Sequence, residues 1–487
     1  MDENSAASAE CKKTLPCNRN QFRLWLPLNI LAVIAGIGLT VWCYNPGYID
    51  YDSLWQLNEA RRHQLDVVHP PLSSFIWGWF DSIIPGPFLM FLFHNLLFWI
   101  GLGLVIGLSL EGSFLSPFII FGIGFYPVVS INLGTIWKDT SMAGSLLLCC
   151  GLLLLARRNR SKLVFAGALV SLYYALAVRH DAFVAVFPMA VWMGWIIWEL
   201  FCPDTAVARR KRLFSGVVIF FLLWILVGAT NKALAPQGVR FVKSLPWSTQ
   251  TVFIHDLAAV SVATGHVQMP AYLHLPDNEA SLRYLEKLYA PEDVYPLFWV
   301  PPGTRAKPLR LPLSRDPKQL EELFLTWKKV IPAHLPAYFR HRWEGFNVFM
   351  GAEGKSSGRY LFTDARHLKL IGIPFKPSPL NTRMMGWLSS LSKTVLFKGW
   401  FYFSIIAVLL FLAVLFFSEY TALSVILGAG AVLRMPIFFF FSGSPYFHYH
   451  FWTVCTALVM LVILPAQLLA ARRAAGKVLL AKKGETG

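Results

Sequence analysis

Residues 45–71 read NPGYIDYDSLWQLNEARRHQLDVVHPP. Two acids, Asp50 and Asp52, stand two positions apart among Tyr48, Tyr51 and Trp55, and the stretch closes on His69-Pro70-Pro71. Apolar runs lie on both sides, at 24–43 and 70–84. About 20 apolar residues suffice to cross a bilayer, so this is a polar, acidic, aromatic loop at a membrane boundary. Loops held by rigid elements carry function disproportionately.

The rest of the chain has the same character. Of its 487 residues 55% are hydrophobic and 15% aromatic, and mean hydropathy is +0.51. This composition defines an all-α polytopic membrane protein rather than a soluble domain. A membrane β-barrel is excluded, because its strands alternate over about 10 residues instead of running continuously apolar. The polar segment 1–23 lacks the features of a cleavable signal peptide. The net charge of +17 fits basic loops against anionic headgroups, and no basic-aromatic nucleic-acid pattern accompanies it. Of the seven cysteines (Cys11, Cys17, Cys43, Cys149, Cys150, Cys202 and Cys455) none lies in the long loop 231–398, which argues against a disulfide framework. No CxxC or HExxH metal motif occurs.

Charge sets the expected path. Lys12, Lys13, Arg19 and Arg23 precede the first span, which places the N-terminus in the cytoplasm and the acidic loop 44–71 outside. If 70–84 dips in and returns, 88–110 runs inward, 117–132 outward, 140–156 inward, 163–178 outward, 182–201 inward and 213–230 outward. Every basic cluster, Arg157–Lys162 and Arg209–Arg212 included, then falls inside. The polar, proline-rich segment 231–398 is too long for a plain connection and is expected to fold as an external, mostly helical subdomain, with helices over 278–289 and 316–349 and a break near Pro332 or Pro336. The segments 400–417, 423–441 and 451–470 complete about ten spans and one re-entrant segment, ending in a basic cytoplasmic tail at 471–487.

This path collects ionisable residues at outer span ends: Asp50, Asp52, His69, Lys138, Asp139, Arg179, His180, Asp181, Arg340, His341, Arg342, Glu344, His448 and His450. Charges beside hydrocarbon are costly and usually functional. Cations there suit a phosphate, and a carboxylate suits a base acting on a hydroxyl.

The ordered set resembles the GT-C membrane glycosyltransferases, which use polyprenyl-phosphate-linked sugars. The matching pieces are the acidic first external loop, His69-Pro70-Pro71-Leu72, Trp137-Lys138-Asp139 and Arg179-His180-Asp181. Trp137-Lys138-Asp139 and the run Pro336-Ala337-Tyr338-Phe339-Arg340-His341-Arg342 look like elements of uncharacterised bacterial branches. The resemblance covers residues 24–200 best, and no WWDxG-type oligosaccharyltransferase signature is present. It implies an inverting transfer to a hydroxyl of an envelope glycan, lipid or protein at the outer face of a bacterial inner membrane. Asp50 or Asp52 would be the base; Lys138, Arg179, Arg340 and His341 would hold the donor phosphate; Tyr51, Trp55, His69, Asp139, Asp181 and Glu344 would line the substrate. Some members bind a divalent metal ion at the external acid, which here would be Asp50.

Plainer readings compete at each position. Asp50 and Asp52 suit N-caps, and Asp52-Ser53 suits one better, which leaves Asp50 facing the site. Pro70-Pro71 suits a helix start, Arg340-His341-Arg342 suits snorkelling to headgroups, and Tyr446–His450 suits an interfacial aromatic belt. Two other functions fit a polytopic chain: a transporter or flippase of a lipid-linked or anionic solute, and an enzyme like the O-antigen ligases. The first expects charges near mid-membrane; the second has no need of Asp50 and Asp52.

Overall fold

A computed structural model describes residues 19–485 apart from 111, 203–206, 236–248, 275–276, 299–310 and 354–365. Lys12, Lys13, Cys11, Cys17 and most of the N-terminal tail lie outside the described residues. The described residues are all-helical, with two isolated β-bridges, Tyr48 to Thr135 and Ala290 to Asp293. In chain order the helices are α1 (Arg19–Tyr44), α2 (Tyr51–Arg61), α3 (Pro71–Ile83), α4 (Phe88–Ser109), α5 (Ser116–Gly124), α6 (Pro127–Leu133), α7 (Lys138–Asn159), α8 (Lys162–Ala177), α9 (Phe183–Phe201) and α10 (Arg209–Leu234). Then follow α11 (Gln250–Thr264), α12 (Asn278–Leu288), α13 (Pro317–Ala333), α14 (Leu335–Met350), α15 (Pro379–Leu391), α16 (Gly399–Leu415), α17 (Ala422–Val432), α18 (Arg434–Phe441) and α19 (Phe451–Glu485).

Among the described residues, seven stretches are long and apolar enough to cross a membrane: Leu26–Tyr44, Phe88–Ser109, Lys138–Asn159, His180–Phe201, Arg209–Leu234, Ala422–Phe441 and Phe447–Gly476. The chain is therefore a multi-pass membrane protein by length and composition. The segment expected as one span over 117–132 is bent by 67° between α5 and α6. Pro127 opens α6 without an amide N–H, and the residue before a proline is pushed out of helical geometry. Helix α3 has 13 residues. At 1.5 Å per residue that is about 20 Å, short of the roughly 30 Å hydrocarbon layer.

Helix α7 is the centre of the bundle, with 78% of its apolar window buried, while α10 has 17% and faces outward. Gly194 of α9 and Gly216 of α10 meet backbone to backbone. A Cβ on Gly194 would stand 2.1 Å from the Gly216 nitrogen, so only glycine permits this approach.

The segment between α10 and α16 has a separate apolar core, built from Ile254, Leu257 and Val260 of α11, Leu285 of α12, Leu320 and Leu323 of α13 and Tyr338 of α14. The expected 316–349 helix is two helices hinged at His334, between Pro332 and Pro336.

Candidate functional site

A two-residue pairing brings the acidic loop to α7. The Tyr48 N–H donates to the Gly134 carbonyl and the Ile136 N–H to the Tyr48 carbonyl, each at 2.9 Å. That lays 48–50 beside 134–137, although the two segments are far apart in sequence. The loop then turns into α2 with Asp50 as its N-cap. Asp50 Oδ1 accepts from the Ser53 N–H at 2.8 Å and lies 2.6 Å from Ser53 Oγ, and Oδ2 accepts from Trp137 Nε1 at 2.9 Å. The expected cap thus moves from Asp52 to Asp50. The helix begins at Tyr51, one residue before Asp52, so Asp50 takes the cap and Asp52 stands in the first turn with its side chain 44% exposed.

Lys138, the first residue of α7, connects this acid to His69. Its Nζ lies 3.9 Å from Asp52 Oδ2 and 2.6 Å from His69 Nδ1. Burial, then the charge of Lys138, pushes the His69 pKa down to about 3. The ring is therefore neutral and its Nδ1 accepts from the ammonium. Burial and then the charge of Asp52 raise the Asp50 pKa. Burial opposes the ionisation of Asp52 too, but the neighbouring positive charge, that of Lys138 foremost, outweighs it and holds that carboxyl below the ordinary range. Of the two acids, Asp52 is the persistent, accessible carboxylate.

A second layer lies behind. Arg179 bridges Asp139 through Nη1 and Asp181 through Nε, the latter at 2.7 Å. Burial works against its charge, and the two carboxylates more than offset it, so its pKa is raised. Arg434, fully buried, places Nη2 2.6 Å from Asp181 Oδ2 and 4.0 Å from Asp139 Oδ1. His448 stacks on Trp137 at 4.3 Å and sets Nε2 3.8 Å from Asp139.

Most of these residues line a cavity of about 250 Å³. Its lining includes Asp50, Asp52, Gln56, Lys138, Asp139 and Arg179 together with Ile437, Phe438 and Phe441 of α18. The lining is thus part charged and part apolar, and α18 also exposes Phe440. The basic end of α7 is distant: Arg157 and Arg158 close the helix, and Arg157 pairs with Glu199 and Glu419 there.

Among the residues expected at a site, Asp50, Asp52, Lys138, Asp139, Arg179 and Asp181 line the cavity. His69 stands behind Lys138. Trp55 turns away, donating to Glu59 Oε1 at 2.8 Å, and Tyr51 is exposed. Arg340, His341 and Glu344 are not among the lining residues. Helix α14 buries Tyr338, His341 and Arg342 on its inner face, which turns Arg340 outward and leaves Glu344 half-buried. His341 belongs to a second buried cluster. Its Nε2 lies 3.4 Å from Asp256 Oδ1, its Nδ1 is 2.8 Å from the Tyr289 hydroxyl, and Arg342 reaches the same Asp256 oxygen at 2.6 Å.

Three residues were given no role in the site by the sequence. Arg434 sits inside an apolar run, His448 inside an aromatic one, and the partners that give them meaning are remote in sequence. Glu59 is the third: it is buried, accepts from Trp55 and from Ser74 Oγ at 3.2 Å, and burial raises its pKa to about 7. Its period on α2 with Asp52 and Gln56 was the available signal.

Among the described residues no three His, Cys, Asp or Glu side chains are arranged to hold a metal ion. Asp50, the acid expected to carry one, has both oxygens occupied by protein donors. The residues present do not fit a metal at that position. Comparison with protein-family models, with curated proteins and with solved structures gives no match.

Proposed function

We propose that this chain is an integral-membrane glycosyltransferase of the GT-C kind. It would move a sugar from a polyprenyl-phosphate donor to a hydroxyl of an envelope glycan, lipid or protein at the outer face of a bacterial cytoplasmic membrane. In this reading the α5–α6 pair, α8 and α16 cross as well, which makes ten spans. Helix α3 is re-entrant, the termini are cytoplasmic and the 231–398 subdomain is periplasmic.

The observation that carries the reading is the mixed lining of the cavity: a carboxylate and an ammonium lie together in it, and so do side chains of α18, an apolar helix that also exposes aromatic side chains. An amphiphile with an anionic head and a long hydrocarbon tail matches both. Asp52 takes the proton of the acceptor hydroxyl, and that oxygen attacks the anomeric carbon as the bond to phosphate breaks on the opposite side. Polyprenyl phosphate leaves with the bonding pair. Lys138 offsets its charge, and so does Arg179, whose Nη2 carries no hydrogen bond among the described residues. Asp50 fixes the start of α2, and with it the direction of Asp52.

The test is the lipid-linked sugar pool of a deletion strain. A sugar-charged polyprenyl phosphate should accumulate, and the wild-type chain should clear it. Chains carrying Asp52→Asn or Lys138→Ala should not, despite normal amounts in the membrane. An unchanged pool in the deletion strain, or clearance by Asp52→Asn, would overturn the reading.

A further inference from the structure

Helix α14 has two unlike faces. One is buried on the Asp256 cluster. The other presents Leu335, Phe339 and Trp343, four residues apart, at 45%, 46% and 58% exposure. Side chains at that spacing form one stripe along a helix. Arg340 is exposed beside it. A free stripe of Leu, Phe and Trp facing water is unfavourable by roughly 25 cal/mol for each Å² of apolar surface.

The C-terminal turns of the same helix show what covers the stripe. Phe346 packs edge-on against Phe439 at 5.6 Å, and Phe349 meets Phe438 at 4.8 Å. Both partners lie on α18, the second half of the span Ala422–Phe441. Residue 346 faces 439 and residue 349 faces 438, so α14 descends against α18 toward the membrane interior. Trp343 is one turn above this contact, Phe339 two turns and Leu335 three. The same span also exposes Leu433 and Phe440.

We propose that α14 docks on the bilayer itself, with Trp343 and Phe339 in the headgroup layer and Leu335 at its outer edge. Trp is enriched at that level. Arg340 lays its stem along the apolar boundary and extends its guanidinium to the lipid phosphates. The partner is a phospholipid surface, and anionic headgroups suit Arg340. This inference depends on the membrane-spanning character of α17–α18 and stands independently of the glycosyltransferase reading.

Spin labelling tests it. In a chain freed of native cysteines, Trp343→Cys, Phe339→Cys and Leu335→Cys each receive a nitroxide, as does Glu279→Cys on the exposed part of α12. The proteins are reconstituted in vesicles of mixed phosphatidylcholine and phosphatidylglycerol. The label at 343 should favour dissolved oxygen over a water-soluble relaxant several-fold more than the label at 279. Protection should decline from 343 through 339 to 335. If Trp343→Cys does not fold, the 339 and 279 labels still give the comparison. Equal relaxant access at 343, 339 and 279 would overturn the proposal. So would protection that disappears when the protein is diluted with lipid, because that reports contact between copies of the chain.

Discussion

Two buried acid–base clusters can be set side by side. One joins Asp52, Lys138, His69, Asp139, Arg179, Asp181 and Arg434 around a cavity. The other joins Asp256, His341, Arg342 and Tyr289 in the segment between α10 and α16, where Trp327 Nε1 also donates to Asp256 at 2.9 Å. Both take charges out of water and both pair them. Only the first leaves a carboxylate facing open space. At Asp256 the same chemistry is closed by packing, with both oxygens held by the protein, so it fastens α14 to α11. A reactive group therefore needs a vacancy beside it, and ion pairing alone does not identify a site.

The largest effect expected from this contrast is on stability. Asp256→Ala leaves Arg342 buried without its counter-charge, which should cost on the order of 3–5 kcal/mol. A thermal melt in detergent should show a large loss. A melt like that of the wild type would mean that the outer cluster is not under the electrostatic constraint described. Asp52→Asn should do the reverse, losing roughly 10²-fold or more in turnover with the melt nearly unchanged. Its pH profile sharpens the point. Lys138 holds the Asp52 carboxyl below its ordinary range, so Lys138→Met should move the acid limb of the residual activity to higher pH. A limb that stays in place would separate Lys138 from Asp52.

Glu59 is a third kind of buried acid, with donors from Trp55 and Ser74 but no ion pair among the described residues. Its pKa rises from an ordinary 4.5 to about 7 on folding, through burial. The folded state then binds more protons between those values, so stability from this group is fully present below pH 4.5 and is lost as pH rises to about 7. Glu59→Gln imitates the protonated form. It should stabilise the protein at pH 8 by on the order of 2 kcal/mol and make no difference at pH 4. Chemical denaturation at the two pH values decides it; equal effects at both would rule out the burial argument. The smallest effect is expected for Arg340→Ala, within about 0.5 kcal/mol in stability and with transfer unchanged, since Arg340 is exposed and outside the cavity. A loss of transfer tenfold or greater would return Arg340 to the site.

How much of this the sequence makes legible depends on distance along the chain. Apolar runs of bilayer length disclose the spans, because length and composition are local properties. The acidic loop is legible for the same reason, and so is a helix break between Pro332 and Pro336. The cap is not: whether Asp50 or Asp52 closes α2 depends on a one-residue difference in where the helix begins, and the Tyr48 pairing to Gly134 and Ile136 sets that. Arg340, His341 and Arg342 are adjacent in sequence, but helical phase sends one outward and two inward, and the phase is fixed by Asp256 on another helix. Arg434 and His448 acquire their roles only from Asp181 and Asp139.

The pairing of Asp181 with Arg434 spans 253 positions, and that separation bears on how the chain is made. A ribosome delivers α7, α8 and α9 long before α18. During that interval Arg179 alone bridges two acids, Asp139 and Asp181, and this group of three holds one formal negative charge in excess. Arrival of Arg434 removes the excess. The late helices of this protein thus complete the electrical balance of the early ones, and a nascent chain stalled before α18 would present an unfinished, acidic seam to the machinery that inserts it and to the proteases that police the membrane.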